Sequence, residues 1–261
     1  MLAPSRRFSW LGLAPFAFVF AALVAGCGSD STKPDEDGPK GKVTVNVEHA
    51  VDGDPLVFDE IRYTNAAGNQ YSVITLKYFV SDVTFLGAQG ESTASEDARF
   101  INARDPVKRA FIVDRVPVGE YTTLRLTFGL DENLNVSGAL PSTTDNLNME
   151  WPPTLGGGYH YMQLEGHYIR QDLSTGSFNV HTGKFGHAHY ITMDLSLPAP
   201  MNIADDGWKI RLSMNVNEWF AHPDIYDFDD FGPSIMEDMD AQHLLRDNGA
   251  DVFSVVEVEK Q

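Results

Sequence analysis

The sequence contains a single cysteine, Cys27, among its 261 residues. One cysteine cannot form a disulfide within the chain, and it cannot build the multi-cysteine sites that hold structural zinc. A metal site elsewhere would therefore use imidazole, thioether, carboxylate or backbone oxygen ligands. Familiar catalytic signatures are also missing, since there is no G-x-S-x-G, H-E-x-x-H, C-x-x-C or phosphate-loop motif. No residue pattern in the chain therefore supports catalysis.

Basic residues are scarce as well. The chain has 19 Lys and Arg against 37 Asp and Glu, which gives a formal net charge of −18 at pH 7. Such acidity argues against binding to nucleic acid, or to anionic lipid headgroups through a basic patch. The length and the 43% content of hydrophobic residues suit one globular domain with a full core.

The first 26 residues have the pattern of a secretory signal. Arg6 and Arg7 precede an apolar run over residues 10–24, which is too short for a comfortable membrane span of about 20 residues. The small residues before Cys27 resemble the bacterial lipobox, which implies cleavage before this cysteine and a diacylglycerol on its sulfur. An ordinary signal peptide with an incidental cysteine is the other interpretation. We predict a lipoprotein signal peptide at residues 1–26 and lipidation of Cys27.

The lipoprotein prediction also predicts a location. Residues 27–41 carry no large apolar side chain after the cysteine, so we expect a flexible tether there and a folded domain at residues 42–261. Gly28 follows the cysteine, and by resemblance to Gram-negative sorting rules this favours the outer membrane. We expect a periplasmic or cell-surface protein that is attached to the outer membrane by its lipid.

Short segments of alternating polar and apolar residues begin near residue 43. Val43, Val45 and Val47 alternate with polar residues, which is the period of a half-buried strand. Further strands are predicted at residues 71–86, 121–130, 159–168, 189–197, 208–217 and 251–258. A helix is predicted over residues 233–249. The pattern indicates an all-β fold, an antiparallel β-sandwich of immunoglobulin-like or jelly-roll-like form, with a short C-terminal helix.

Histidines are concentrated in one part of the chain. Five of the eight fall within thirty residues, and these are His160, His167, His181, His187 and His189. Strand alternation predicts that His160 shares a face with Met162, and that His49 points inward from the first strand. An unpaired buried imidazole is costly, so each buried histidine is either a hydrogen-bonded core residue or a metal ligand. Met162 is a candidate soft ligand for Cu(I).

Several short motifs occur in a recognisable order. They are His49-Ala-Val-Asp-Gly53, Leu76-Lys-Tyr78-Phe79, Gly119-Glu-Tyr121, Met149-Glu-Trp151, Gly158-Tyr-His-Tyr-Met162 and Phe178-Asn-Val-His181-Thr-Gly183. Together they resemble the MbnP-like family of copper-binding proteins associated with methanobactin loci. The resemblance covers about residues 42–220.

The resemblance implies a β-sandwich protein that binds copper and performs no chemistry on a substrate. Family members are often encoded beside a di-haem cytochrome c peroxidase-like partner. In some of them this partner oxidises a Trp towards kynurenine, which joins histidines around the metal. His181 is the best family match for a ligand and His49 the next, while Trp151 is the candidate for oxidation. A common form of the motif has a second Trp where this chain has Pro153.

We therefore expect a periplasmic-facing or surface lipoprotein that binds copper for copper homeostasis or storage. The predicted metal ligands are His49, His181, His160 and His189, with Met162 as the additional soft ligand. One alternative is a metal-free β-sandwich surface module that binds a protein or a glycan, in which the histidines are structural. A hydrolase of an unrecognised fold is the other.

Overall fold

The computed structural model describes residues 38–261 except residues 89, 96, 185, 187, 188, 205 and 206. The predicted signal peptide, Cys27, most of the tether and His187 lie outside the described residues. Among the residues that are described, no helix is both long enough and apolar enough to cross a membrane.

The described part of the chain forms fourteen strands. They are β1 Lys40–Val51, β2 Asp54–Pro55, β3 Tyr63–Thr64, β4 Gln70–Tyr71, β5 Thr75–Gly87, β6 Gly90–Ser95, β7 Arg99–Asn102, β8 Ala110–Pro117, β9 Gly119–Phe128, β10 Met162–Ile169, β11 Thr175–Thr182, β12 Ile191–Ile203, β13 Gly207–Asn215 and β14 Phe253–Lys260. All the predicted strands are present, with ends displaced by a few residues. Six strands were not predicted, namely β2, β3, β6, β7, β8 and β11.

Three short α-helices accompany the strands. They are α1 Thr144–Asn148, α2 Phe228–Phe231 and α3 Met239–Asn248. The predicted start of the last helix near residue 233 is wrong, because the side chain of Asp238 accepts a hydrogen bond from the Ala241 N–H and caps the helix there. Its predicted end is confirmed, since α3 stops at Asn248 and Gly249 follows.

The strands form two sheets that pack as a sandwich. The smaller sheet has the order β14-β13-β1-β2, with β8 also paired to β1. The larger sheet has the order β12-β9-β5-β10-β4-β3, with β11 beside β10 and with β6 and β7 beside β5. The described strand pairs are antiparallel except β1 and β13, which run parallel. The predicted β-sandwich with a short C-terminal helix is confirmed.

The core between the sheets follows the predicted alternation. In β1 the side chains of Val43, Val45 and Val47 are buried, whereas the residues between them are more exposed. The same alternation runs through β9, β12 and β13, whose inward side chains contribute to one continuous apolar cluster. Burial of each such side chain contributes about 1.5–3 kcal/mol, so this inter-sheet cluster is the main source of stability.

A second, smaller core covers the outer face of the larger sheet. The connection between β9 and β10, residues 129–161, folds back over this face. It buries a separate apolar cluster made of Phe79, Leu130, Leu140, Met149, Tyr159 and Tyr161. The larger sheet therefore has apolar packing on both sides. The connection on its outer side contains two of the residues predicted to be functional, Trp151 and His160.

Candidate functional site

A hairpin-like turn in the covering connection positions Trp151 and His160. Three consecutive glycines, residues 156–158, all have positive φ and let the chain reverse. At Gly158 a Cβ atom would lie 2.3 Å from the side-chain oxygen of Asn135, so only glycine fits. The reversal lets the Trp151 N–H donate to the Gly158 carbonyl at 2.9 Å. It also lets the His160 N–H donate to the Met149 carbonyl at 2.7 Å.

His160 is held as a neutral imidazole of one tautomer. Its Nδ1 lies 3.1 Å from the Met149 carbonyl oxygen, which can only accept, so Nδ1 carries the proton. The lone pair then resides on Nε2, which is buried and has no hydrogen-bond partner among the described atoms. Burial, reinforced by the nearby His181, lowers the pKa of His160 to about 4. A neutral imidazole with an unused buried lone pair has the donor chemistry of a metal ligand.

His181 is oriented by a carboxylate. Its Nε2 lies 2.8 Å from Oε1 of Glu165 on the neighbouring strand β10, where it donates its N–H. The hydrogen bond from His181 holds the pKa of Glu165 below its usual range, so this carboxylate stays ionised. Nδ1 is then the atom of His181 that can bind a metal. A histidine whose second nitrogen donates to a carboxylate is the usual arrangement at metal sites.

Trp151, His160 and His181 form one contact cluster, which we call the Trp–His cluster. The ring centres of Trp151 and His160 are 4.8 Å apart, and those of His160 and His181 are 5.0 Å apart with their planes at 87°. Two imidazoles on one metal, with metal–nitrogen bonds of about 2 Å at a near-tetrahedral angle, also place their ring centres about 5 Å apart. The separation of the two ring centres is therefore compatible with two ligands of one metal ion. Within the described residues, no group of three or more His, Cys, Asp or Glu side chains is arranged to hold a metal.

The alternation-based placement of His160 is wrong. His160 precedes β10, which starts at Met162, so the strand period does not apply to it. Its ring contacts His181, which pairs with Gln163 on the outward-facing side of the sheet. Met162 instead pairs with Tyr78, and both are fully buried in the inter-sheet core.

His49 points into the core as predicted, but it lies away from the Trp–His cluster. Its Nε2 is 2.9 Å from the hydroxyl of Tyr78, which joins the two sheets. Tyr78 and its neighbour Lys77 on β5 point to opposite faces of the sheet, and Lys77 points outward. Lys77 pairs with Gln163, which pairs in turn with His181. His49 and His181 therefore lie on opposite sides of the larger sheet. Met162 is on the same side as His49.

His189 lies behind the Trp–His cluster. Its Nδ1 donates to the carbonyl of Gly183 at 3.2 Å, and its ring centre is 5.0 Å from that of His243 on α3. Gly183 in turn packs directly under Trp151, because a Cβ atom at Gly183 would lie 2.5 Å from a carbon of the Trp151 ring. Of the predicted ligands, the structure thus brings His160 and His181 together. His189 is connected to the cluster through its hydrogen bond to Gly183.

Sequence reasoning missed two contributors to this region. One is Glu165, which was not among the predicted site residues and whose carboxylate contacts His181. The other is Gln242, which lies three residues from each of Met239 and Leu245, on the apolar stripe that these two residues form in α3. A polar residue on such a stripe was the available signal.

Comparisons with known proteins agree with this architecture. A family model described as MbnP matches residues 40–237. The chain is similar in structure to MbnP from Methylosinus trichosporium, with a TM-score of 0.52 and 14% sequence identity, over 85% of this chain and 99% of that one. At this identity the likeness shows a shared fold. No curated protein matches the sequence. Because the family model covers most of the chain, this protein belongs to the MbnP family of methanobactin-associated proteins.

Proposed function

We propose that this protein binds copper through His160 and His181, beside Trp151. The observation that carries the proposal is the buried Nε2 of His160, which has a lone pair and no hydrogen-bond partner, next to a carboxylate-oriented His181. Imidazole nitrogen suits copper, and no thiolate competes with it in this chain apart from Cys27. The bound ion is cargo for copper homeostasis or storage, and we assign no substrate reaction to the protein.

The charges around the Trp–His cluster support a cationic ligand. Glu165 is ionised and contacts His181 directly, and the whole chain has a net charge of −18. The lowered pKa of His160 keeps this imidazole neutral, as metal binding requires, throughout the physiological range. Binding therefore does not have to displace a proton from His160 at neutral pH.

The cellular setting is part of the same proposal. Cys27 would carry the lipid anchor, and the folded domain would be exposed to the periplasm or the cell surface. A di-haem cytochrome c peroxidase-like protein is the proposed partner, and Trp151 is the residue that it would oxidise. The contact between Trp151 and His160 supports this choice, because a modified indole at this position would adjoin both histidines.

The proposal is tested by copper content and affinity of the full-length protein purified in mild detergent. About one copper per chain is expected, with loss of binding in a double variant, His160→Gln with His181→Gln. His222→Gln is the matched control, because this histidine is exposed and bonds Glu218 outside the cluster. His49→Gln should also keep its copper. A folded protein without copper in the presence of the partner, or a double variant that still binds, would contradict the proposal and favour the metal-free surface module.

A further inference from the structure

Gln242 is a fully buried polar residue of helix α3, whose other buried residues are Ala241, Leu245 and Asn248. Its exposure is 0%, like that of Ala241 and Leu245 in the same helix. A buried carboxamide is unfavourable unless its donors and acceptor are hydrogen-bonded. Its partners therefore indicate what it contributes.

All of the carboxamide's polar atoms are used. Nε2 donates to the carbonyl of His181 at 2.8 Å and to the carbonyl of Ile235 at 3.1 Å. Oε1 accepts the N–H of Gly183 at 3.2 Å. Two of the three bonds thus reach the segment that contains a proposed copper ligand and the glycine beneath Trp151.

These bonds are made at an open edge of the sheet. Among the described strands, β11 pairs only with β10, so no described strand lies beside the backbone groups on its other side. Unpaired edge groups must be satisfied by other means. On this side of β11 the Pro233 carbonyl accepts the N–H of Asn179. The next two groups along the edge, the carbonyl of His181 and the N–H of Gly183, both bond the carboxamide of Gln242. The carboxamide thus takes the place of a peptide group from a missing strand.

The position of this edge determines where the rings of the Trp–His cluster lie relative to one another. His181 projects from it towards His160, and Trp151 packs on Gly183 too closely for any larger residue. A displacement of residues 181–183 would therefore move both the imidazole and the surface on which the indole packs.

We propose that Gln242 is a positioning residue for the copper site, which holds His181 against His160 and Trp151 without contacting the metal. This inference rests on the proposed function. Helix α3 lies beyond residues 40–237, which the family model matches. The positioning element is therefore outside the segment by which the family was identified.

The test compares Gln242→Met with Leu245→Ala in the full-length protein. Methionine keeps the length of the side chain but makes none of the hydrogen bonds, and Leu245 is an equally buried residue of α3 that makes none of them either. We expect Gln242→Met to weaken copper affinity by about 10-fold or more and to alter the electron paramagnetic resonance spectrum of bound Cu(II). Leu245→Ala should lower the melting temperature while the affinity and the spectrum stay as in the wild type.

A metal-free measurement separates this inference from the proposed function. Long-range ¹H–¹⁵N NMR spectra report the imidazole nitrogens of His160 and His181 without copper. Changed signals in Gln242→Met but not in Leu245→Ala would support positioning even if the wild type bound no copper. Unchanged affinity, Cu(II) spectrum and imidazole signals in Gln242→Met would overturn it. If this variant does not fold, Gln242→Glu replaces it with the same expected outcome, since it keeps an acceptor for Gly183 but has no N–H and can make at most one of the two donated bonds.

Discussion

The free energy of unfolding falls between about pH 7.5 and pH 5. Replacing His49 with glutamine should make this fall smaller by about 2 kcal/mol. His49 lies between the two sheets, where its Nε2 bonds the Tyr78 hydroxyl. Burial, with a smaller contribution from the positive charge of Arg109, lowers the pKa of His49 from 6.5 to about 3. The imidazole is therefore neutral in the folded protein at either pH.

The sign follows from proton binding by the two states. Below pH 6.5 the unfolded chain protonates His49, whereas the folded chain does not until the pH approaches 3. The stability that depends on neutral His49 is thus fully present above pH 6.5 and is lost progressively as the pH drops towards 3. Each pH unit in this window costs about 1.4 kcal/mol per group, and pH 5 lies about 1.5 units below the ordinary pKa, which gives about 2 kcal/mol.

The assay is urea unfolding of the wild type and His49→Gln at both pH values. A glutamine amide does not titrate and can still bond Tyr78, so the comparison isolates protonation of His49. His160, whose pKa is also lowered, contributes equally to both proteins and cancels. An identical pH dependence in the two proteins would refute the reasoning, because it would mean that His49 is not buried as a neutral group.

Two further predictions concern the Trp–His cluster. Gly183→Ala should destabilise the protein by about 1–3 kcal/mol in urea unfolding, because the new methyl group would collide with the Trp151 ring. Gly207→Ala is the control, since its Cβ would lie no closer than 3.2 Å to the flexible side chain of Gln261, and equal effects of the two changes would contradict the close packing. Glu165→Gln should lower copper affinity by about 10–100-fold in a competition titration, because the amide orients His181 less firmly. An unchanged affinity would show that the carboxylate does not orient the ligand.

The sequence predicted the inter-sheet core well because alternation has a direct physical cause there. A strand of a two-sheet sandwich buries every second residue, so Val43, Val45 and Val47 identify both a strand and its inward face. The same rule correctly predicted that His49 is buried. Strand β11 was missed because two of its four inward positions are Gly176 and Thr182, which weakens the apolar signal.

Alternation could not predict the Trp–His cluster, because two of its members are not in strands. Trp151 and His160 belong to the covering connection, where neither a helical nor a strand period applies. Only the resemblance to a family singled out Trp151 and His181 together. The role of Gln242 depends on an unpaired sheet edge, which is a property of the tertiary arrangement and has no local pattern in the sequence.

The Trp–His cluster lies outside the inter-sheet core, at a place where an ion can keep polar ligands. The space between the sheets is filled by apolar side chains, and an ion there would lose its hydration without gaining enough polar ligands. On the outer face of the larger sheet, by contrast, the carboxylate of Glu165 is partly exposed and reaches a half-buried histidine. The connection over residues 129–161 and helix α3 then supply the buried ring of His160 and the hydrogen bonds of Gln242. Because these elements are added to a sandwich that is already closed, ligand substitutions in the cluster should leave the inter-sheet core intact.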